Sequence, residues 1–330
     1  MNSSQPSHFT LSGYFDVGLL KYLCFVLLLC LYLLIVGANL LLILVICVNR
    51  TLHEPMYLFL LSLFVNELYG SSGLFPLLLV QVLSDSHTVS APLCFLQIFS
   101  LHCYGAVEYV SLAVMSYDRY LAICHPLRYG AWMSCGTIGA LIAAAWLYGV
   151  TVCVVMVALS SSLRLCGNVI HKVYCDNFSV VKLACADITA VNIHGIATIL
   201  ISLGAPLAFI FYTYFKILAV CVAGSRQTRQ KAVSTCAPHL TSVLHFTSAA
   251  MFELLQGRFD MTGTPLPLRV VLSLYWFTCQ PLLNPLVYGL SLSKIRLLCG
   301  GLLYAARKLA HGRCVAPQGN QHNPESSVPG

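Results

Sequence analysis

Charge is what this chain has least of. Only 9% of its 330 residues are Asp, Glu, Lys or Arg, against 58% hydrophobic, and the mean hydropathy is +0.81. Soluble domains carry about 25% charged residues, so a water-soluble globular protein is excluded and a polytopic membrane protein is expected. Other absences narrow the class further. No inverted repeat or pair of matching broken helices points to a transporter, and the acids are too few and unrepeated for a channel stripe. The histidines scatter over loops and different helices, leaving no nucleophile-base pair and no metal cluster at helical spacing, so no enzyme, cofactor or metal centre is expected. No basic leader and cleavage site precede the first apolar run, which therefore reads as an uncleaved signal anchor.

What is present is apolar length. A hydrocarbon core of ~30 Å takes ~20 helical residues to cross, and such stretches recur at about 21–48, 57–82, 92–124, 137–159, 191–222, 232–255 and 267–290. These predict an all-α seven-helix bundle. Polar residues interrupt the third (His102, Glu108, Ser111) and the fifth (His194, Ser202). Residues 1–20 form the N-terminal segment, 291–311 a basic amphipathic helix lying on the inner leaflet with Cys299 open to palmitoylation, and 312–330 a disordered tail carrying Cys314. Twelve of the 18 Lys and Arg fall on one side of this topology, which places the N-terminus outside and makes membrane lipids, not nucleic acid, the expected surroundings. Sequons at Asn2 and Asn177 then lie outside, open to glycans, while Asn49 lies inside.

Most of the 16 cysteines sit in apolar runs. Cys94, Cys166, Cys175 and Cys185 lie instead at or in the outer loop of about 160–190, on the oxidising side. Three pairings are arithmetically open. A loop of this length, without an obvious helix and with two staples, reads as an ordered lid over the outer mouth; a purely structural staple is compatible with it.

Asn39, Glu67, Glu108 and Asn284 fall mid-helix, where an ionised carboxylate costs at least a few kcal/mol. Two acids in one dry cavity require that one keep its proton or that a cation such as sodium sit between them. Pro206, Pro281 and Pro285 remove helix hydrogen bonds and permit kinks, and Asn284 and Tyr288, four apart, share a face beside two of these prolines. Asp118-Arg119-Tyr120 ends the third stretch with a charge pair too costly there to be idle.

Five blocks together carry a resemblance: Leu52 to Tyr57 (LHEPMY), Met115 to Cys124 (MSYDRYLAIC), Lys231 to Leu240 (KAVSTCAPHL), Pro281 to Tyr288 (PLLNPLVY), and the three cysteines of the outer loop. In this order and spacing the chain resembles a rhodopsin-like (class A) G protein-coupled receptor of the vertebrate olfactory receptor family, over about residues 50–300. The resemblance implies a plasma-membrane receptor that binds a small-molecule odorant and activates an olfactory-type stimulatory G protein, raising cAMP. A class A receptor for a non-odorant ligand, or one acting outside the nose, is the alternative.

The resemblance also implies the pairings Cys94–Cys175 and Cys166–Cys185. It assigns the switch to Asp118, Arg119 and Tyr120, with Asn284, Pro285 and Tyr288, and places the pocket in the outer half of the bundle. Candidate liners are His102, Gly105, Ala106, Thr198, Ser202, Thr247, Met251, Leu274 and Phe277, with His102, Thr198 and Ser202 as hydrogen-bonding groups. The sodium candidates are Glu67, Glu108 and Asn39. No acid stands near His102 on the third stretch where aminergic receptors place one, so an amine held by that salt bridge is not expected.

Departures from the family pattern are Gly37-Ala38-Asn39, Phe246-Thr247-Ser248 in place of Phe-Tyr-Gly, and Pro238. The foot of the sixth helix, Arg226 to Lys231, is basic, so Arg119 finds no second acid there. Restraint then falls to Asp118 and to packing and hydrogen bonds through Tyr214, His239 and Tyr288.

Overall fold

The computed structural model describes residues 6–14, 18–256 and 266–301. Asn2, Cys314 and residues 302–330, hence the second half of the expected amphipathic helix and all of the expected tail, lie outside them. In chain order the elements are β1 (His8–Leu11), α1 (Leu20–Val48), α2 (Pro55–Leu83), β2 (Thr88–Ser90), α3 (Ala91–Cys124), α4 (Pro126–Trp132), α5 (Cys135–Ser161), β3 (Val169–Ile170), α6 (Asn177–Val181), α7 (Thr189–Ile199), α8 (Ala205–Ala223), α9 (Arg226–Gln256) and α10 (Leu266–Ser291). Residues 293–301 are also helical.

Local chemistry sets several of these boundaries. Proline opens α2, α3 and α4 within the first two positions, where its missing N–H costs nothing. Ser134 caps α5 by accepting from Thr137 N at 3.2 Å. Between α7 and α8 the chain winds through a π-helical turn, Leu200–Gly204, and Pro206 follows at once. Pro206 cannot donate back to the preceding turn, which is where a helix tolerates such a bulge. The two helices therefore act as a single bent rod, Thr189–Ala223.

Seven rods result: α1, α2, α3, α5, the α7–α8 rod, α9 and α10. The first five are long and apolar enough to cross a membrane. The central rod is α3, with 67% of its apolar stretch buried against 28% for α1 and 22% for α5. The outer rods turn large apolar side chains outward, among them Leu27, Leu147, Phe211 and Phe215, as a lipid-facing surface requires. Close approach of α2 to α3 needs Gly70, where an added Cβ would lie 2.5 Å from the Tyr104 ring.

At the disulfide end β1 lies between β2, antiparallel, and β3, parallel. This three-stranded cap buries Phe9 and Leu11 and ties the N-terminal segment to the long loop. That loop also contains the short helix α6, capped by Asp176, which the sequence pattern leaves unread because five residues show no period.

Candidate functional site

The deepest polar cluster joins four helices. Glu67 on α2 and Glu108 on α3 are fully buried. Asn284 Nδ2 donates to Glu67 Oε1 at 2.5 Å and to Glu108 Oε1 at 3.0 Å, so one amide on α10 ties both acids. Tyr104 donates to Glu67 Oε2 at 3.0 Å and Asn66 to Glu108 Oε2 at 3.0 Å. Gln280 Nε2 and Ser242 Oγ both donate to Asn284 Oδ1, and the His245 ring meets Gln280 Oε1 at 2.7 Å. Buried polar groups of this kind must be satisfied, and here satisfaction locks α2, α3, α9 and α10 in register.

Asn39 is not part of that lock. Its Nδ2 donates to the Pro281 carbonyl at 2.9 Å and to Ile35 O at 2.9 Å, and among the described residues no hydrogen bond joins it to either acid. The reason is Pro285: lacking an N–H, it leaves the Pro281 carbonyl without its helical partner, and Asn39 supplies the donor. Asn39 thus reaches α10 through Pro281, while Glu67 and Glu108 reach it through Asn284.

At the opposite end from the disulfides, Arg119 folds onto its neighbour. Its Nε donates to Asp118 Oδ2 at 2.9 Å and its terminal nitrogen is paired with the same oxygen. Asp118 Oδ1 accepts from Tyr129 on α4 at 2.7 Å, a partner that sequence spacing did not reveal. Tyr120 instead meets the His125 ring at 2.9 Å. His239 Nε2 donates to the Leu112 carbonyl at 2.9 Å, which leaves Nδ1 to accept from Tyr214 at 2.7 Å. Tyr214 and His239 thus tie α8 and α9 to α3. Tyr288 does not join them: its hydroxyl is buried without a hydrogen-bond partner among the described residues, and its ring packs edge-on to Phe64. A small cavity opens here between Met56, Met115, Asp118, Arg119, His239 and Tyr288.

At the disulfide end, Cys94 is bonded to Cys175 and Cys166 to Cys185. Lys172, two residues before Tyr174, reaches across to α9: its Nζ lies 2.5 Å from Glu253 Oε1, 3.3 Å from the Tyr174 hydroxyl and 3.5 Å from Asp176 Oδ2. Tyr174 donates to the same Glu253 oxygen at 2.6 Å. Burial lowers the Lys172 ammonium, but Asp176 and Glu253 outweigh it and hold the group above its usual range. Burial likewise raises the Asp176 carboxyl, and Lys172, His102 and two hydrogen bonds from Ser179 overturn that to hold it below its usual range. Asn177 sits half-buried at the start of α6.

The pocket candidates divide. His102 is part-buried, donates from Nδ1 to Ile98 O at 2.9 Å, and lies within electrostatic reach of Asp176, Lys172 and Glu253. Gly105 faces Trp276, Ala106 and Phe277 are buried, and Leu274 packs on the same cluster as Phe277. Ser202 is turned to the fourth rod, sharing a 2.7 Å hydrogen bond with Tyr148; Thr198 is half-buried. Met251 is 40% exposed and lies off the inward face of α9, which runs through His239, Ser242, Val243, Phe246, Ala249, Ala250 and Glu253. That period of three and four puts Glu253 inside and Met251 outside, and the Met251 assignment is corrected. The Thr247 hydroxyl is buried.

The comparisons agree with this geometry. A family model described as olfactory receptor matches residues 28–304. Olfactory receptor 10A6 of Homo sapiens is 35% identical over 297 residues, covering 89% of this chain and 94% of its own. Olfactory receptor 4B13 of Mus musculus is 35% identical over 291 residues, covering 88% and 93%. The crystal structure of squid rhodopsin superposes with a TM-score of 0.69 over 86% of this chain and 80% of its own, at 16% identity, which bears on fold alone. This chain, a multi-pass seven-helix protein of the rhodopsin-like fold, belongs to the olfactory receptor family.

Proposed function

We propose that this chain is an odorant receptor of the plasma membrane, its N-terminus outside, that couples a small ligand at the disulfide end to an olfactory-type stimulatory G protein at the Arg119 end and so raises cAMP. The observation that carries the reading is the buried chain of hydrogen bonds from His245 through Gln280, Ser242 and Asn284 to Glu67 and Glu108. It links the rods around the pocket with those around Arg119, so displacement of α9 above must be felt below. A bistable bundle needs a gap of only about a few kcal/mol between states.

In the resting arrangement Asp118 holds Arg119, Tyr129 orients Asp118, and the Tyr214–His239 pair keeps α8 and α9 against α3. Outward movement of α9 breaks the Tyr214–His239–Leu112 chain and frees Arg119 to meet a G protein helix. Odorants are small and apolar with few polar groups, which suits a site walled by Gly105, Ala106, Leu274 and Phe277 with His102 as a polar contact. In this reading the Glu67–Glu108 pair is neutralised in part by a shared proton or by sodium; two carboxylates are the hard oxygen donors such an ion takes.

The test is a cAMP assay of the full chain in cells that supply an olfactory-type stimulatory G protein, challenged with a chemically broad odorant panel. A dose-dependent rise that Arg119→Ala abolishes at equal surface level supports the reading. Silence across odorants together with a response to a peptide or lipid overturns it.

A further inference from the structure

We propose that Glu253 determines ligand class and that the pocket takes a small organic amine, bound as the ammonium ion; this rests on the odorant-receptor reading above. The juxtaposition that carries it is Glu253 on α9 against Lys172, Tyr174 and Asp176 of the long loop, with His102 of α3 in reach.

Among the described residues, charge is unbalanced in this cluster. Two carboxylates, Glu253 and Asp176, face one ammonium, Lys172, and His102 is already committed to a carbonyl through Nδ1. The pairing is also lopsided within Glu253 itself. Oε1 takes both Lys172 and the Tyr174 hydroxyl, whereas Oε2 is buried and has no hydrogen-bond partner among the described residues. The residue is only 8% exposed. A buried carboxylate oxygen without a donor is costly, and so long as it is retained it marks a place where a donor is expected to arrive.

The neighbouring aromatic rings favour a cation for that donor. Tyr174 and Phe277 stand edge to face with centroids 5.4 Å apart, and Trp276 lies 4.6 Å from Phe277. Lys172 already sits 5.1 Å from the centroid of the Tyr174 ring. Aromatic faces attract ammonium groups and repel carboxylates. A ligand ammonium can take Oε2 while Lys172 keeps Oε1, so no bond need break and the local charge comes to balance. A ligand carboxylate, in contrast, would have to compete for Lys172 with two acids already on it, adding a third anion to the cluster. A neutral alcohol could donate to Oε2 but would leave the charge unbalanced.

The experiment uses the full chain in the cAMP assay, with butylamine, hexylamine, cyclohexylamine and benzylamine set against the alcohols and carboxylic acids of the same skeletons. The amines are expected to activate at concentrations about tenfold to a hundredfold below their alcohols, the margin for a hydrogen bond to a charged rather than a neutral partner, with the acids inactive. Glu253→Gln, with surface level measured by labelling, is expected to raise the amine EC50 by the same factor. If Glu253→Gln fails to reach the surface, the wild-type rank order alone decides. Activation by acids or alcohols with the amines silent, or full amine sensitivity in Glu253→Gln, overturns the amine assignment and leaves the odorant reading intact. Silence to every class of odorant from a receptor shown to be at the surface overturns both.

Discussion

Tyr129 on the short helix α4 donates a 2.7 Å hydrogen bond to the carboxylate of Asp118, the group that holds Arg119. The basic foot of α9 offers Arg119 no acid, so restraint of the arginine depends on how well Asp118 is fixed, and Tyr129 fixes it.

Removing that hydroxyl should loosen the resting state. A hydrogen bond to a charged acceptor contributes about 1.5–3 kcal/mol when buried and less in a part-buried place such as this. Tyr129→Phe is therefore expected to raise basal cAMP by a few-fold at equal surface expression, and Asp118→Asn to raise it further or to destabilise the receptor. Unchanged basal activity in both would show that Arg119 is restrained by packing alone.

The two acids in the core can be told apart from a simple packing pair by their response to ions. If sodium binds between Glu67 and Glu108, raising sodium against an impermeant organic cation should raise the melting temperature of detergent-solubilised wild type and not that of Glu108→Gln. Identical sodium dependence in the two proteins would assign the pair to a shared proton.

Asn39 answers a vacancy that Pro285 creates. Asn39→Ala leaves the Pro281 carbonyl buried without a donor, which costs about 1–3 kcal/mol. A lower melting temperature and reduced surface delivery are expected, with no change in ligand rank order. A fully stable Asn39→Ala protein would mean that the Pro281 carbonyl finds another partner.

The loop that covers the disulfide end should hold across neutral pH. Asp176 is depressed when folded, so its contribution is present above the unfolded carboxyl value of about 3.9 and is lost as pH falls through the lower folded value. Lys172 is raised, so its contribution is complete below about 10.4 and is lost only as pH rises through the higher folded value. Hydrogen exchange over residues 172–181 is accordingly expected to stay protected through neutrality and to open in acid and in strong alkali. Loss of protection near neutral pH would count against the Lys172–Asp176–Glu253 cluster as the tie.

Much of this was legible along the chain. Apolar length gives the membrane class and seven rods, and the Asp118-Arg119-Tyr120 and Asn284-Pro285 motifs mark their places because each is a local pattern. The bend at Pro206 follows from the missing N–H. The cap of β1, β2 and β3 was not legible, since strands of two to four residues carry no period and the N-terminal segment pairs with partners far along the chain.

The sequence by itself determined that this protein crosses a membrane as a helix bundle, since composition and helical length depend on each residue's own chemistry, and its motif blocks carried the resemblance to a receptor family. Only the tertiary structure decided which polar groups meet. Lys172 and Glu253 lie on a loop and a distant helix, Met251 and Glu253 are two residues apart yet face opposite ways, and Asn39 serves a carbonyl on the last rod. Partners of buried charges are fixed by helix rotation and close packing, which act through space between segments far apart in the chain.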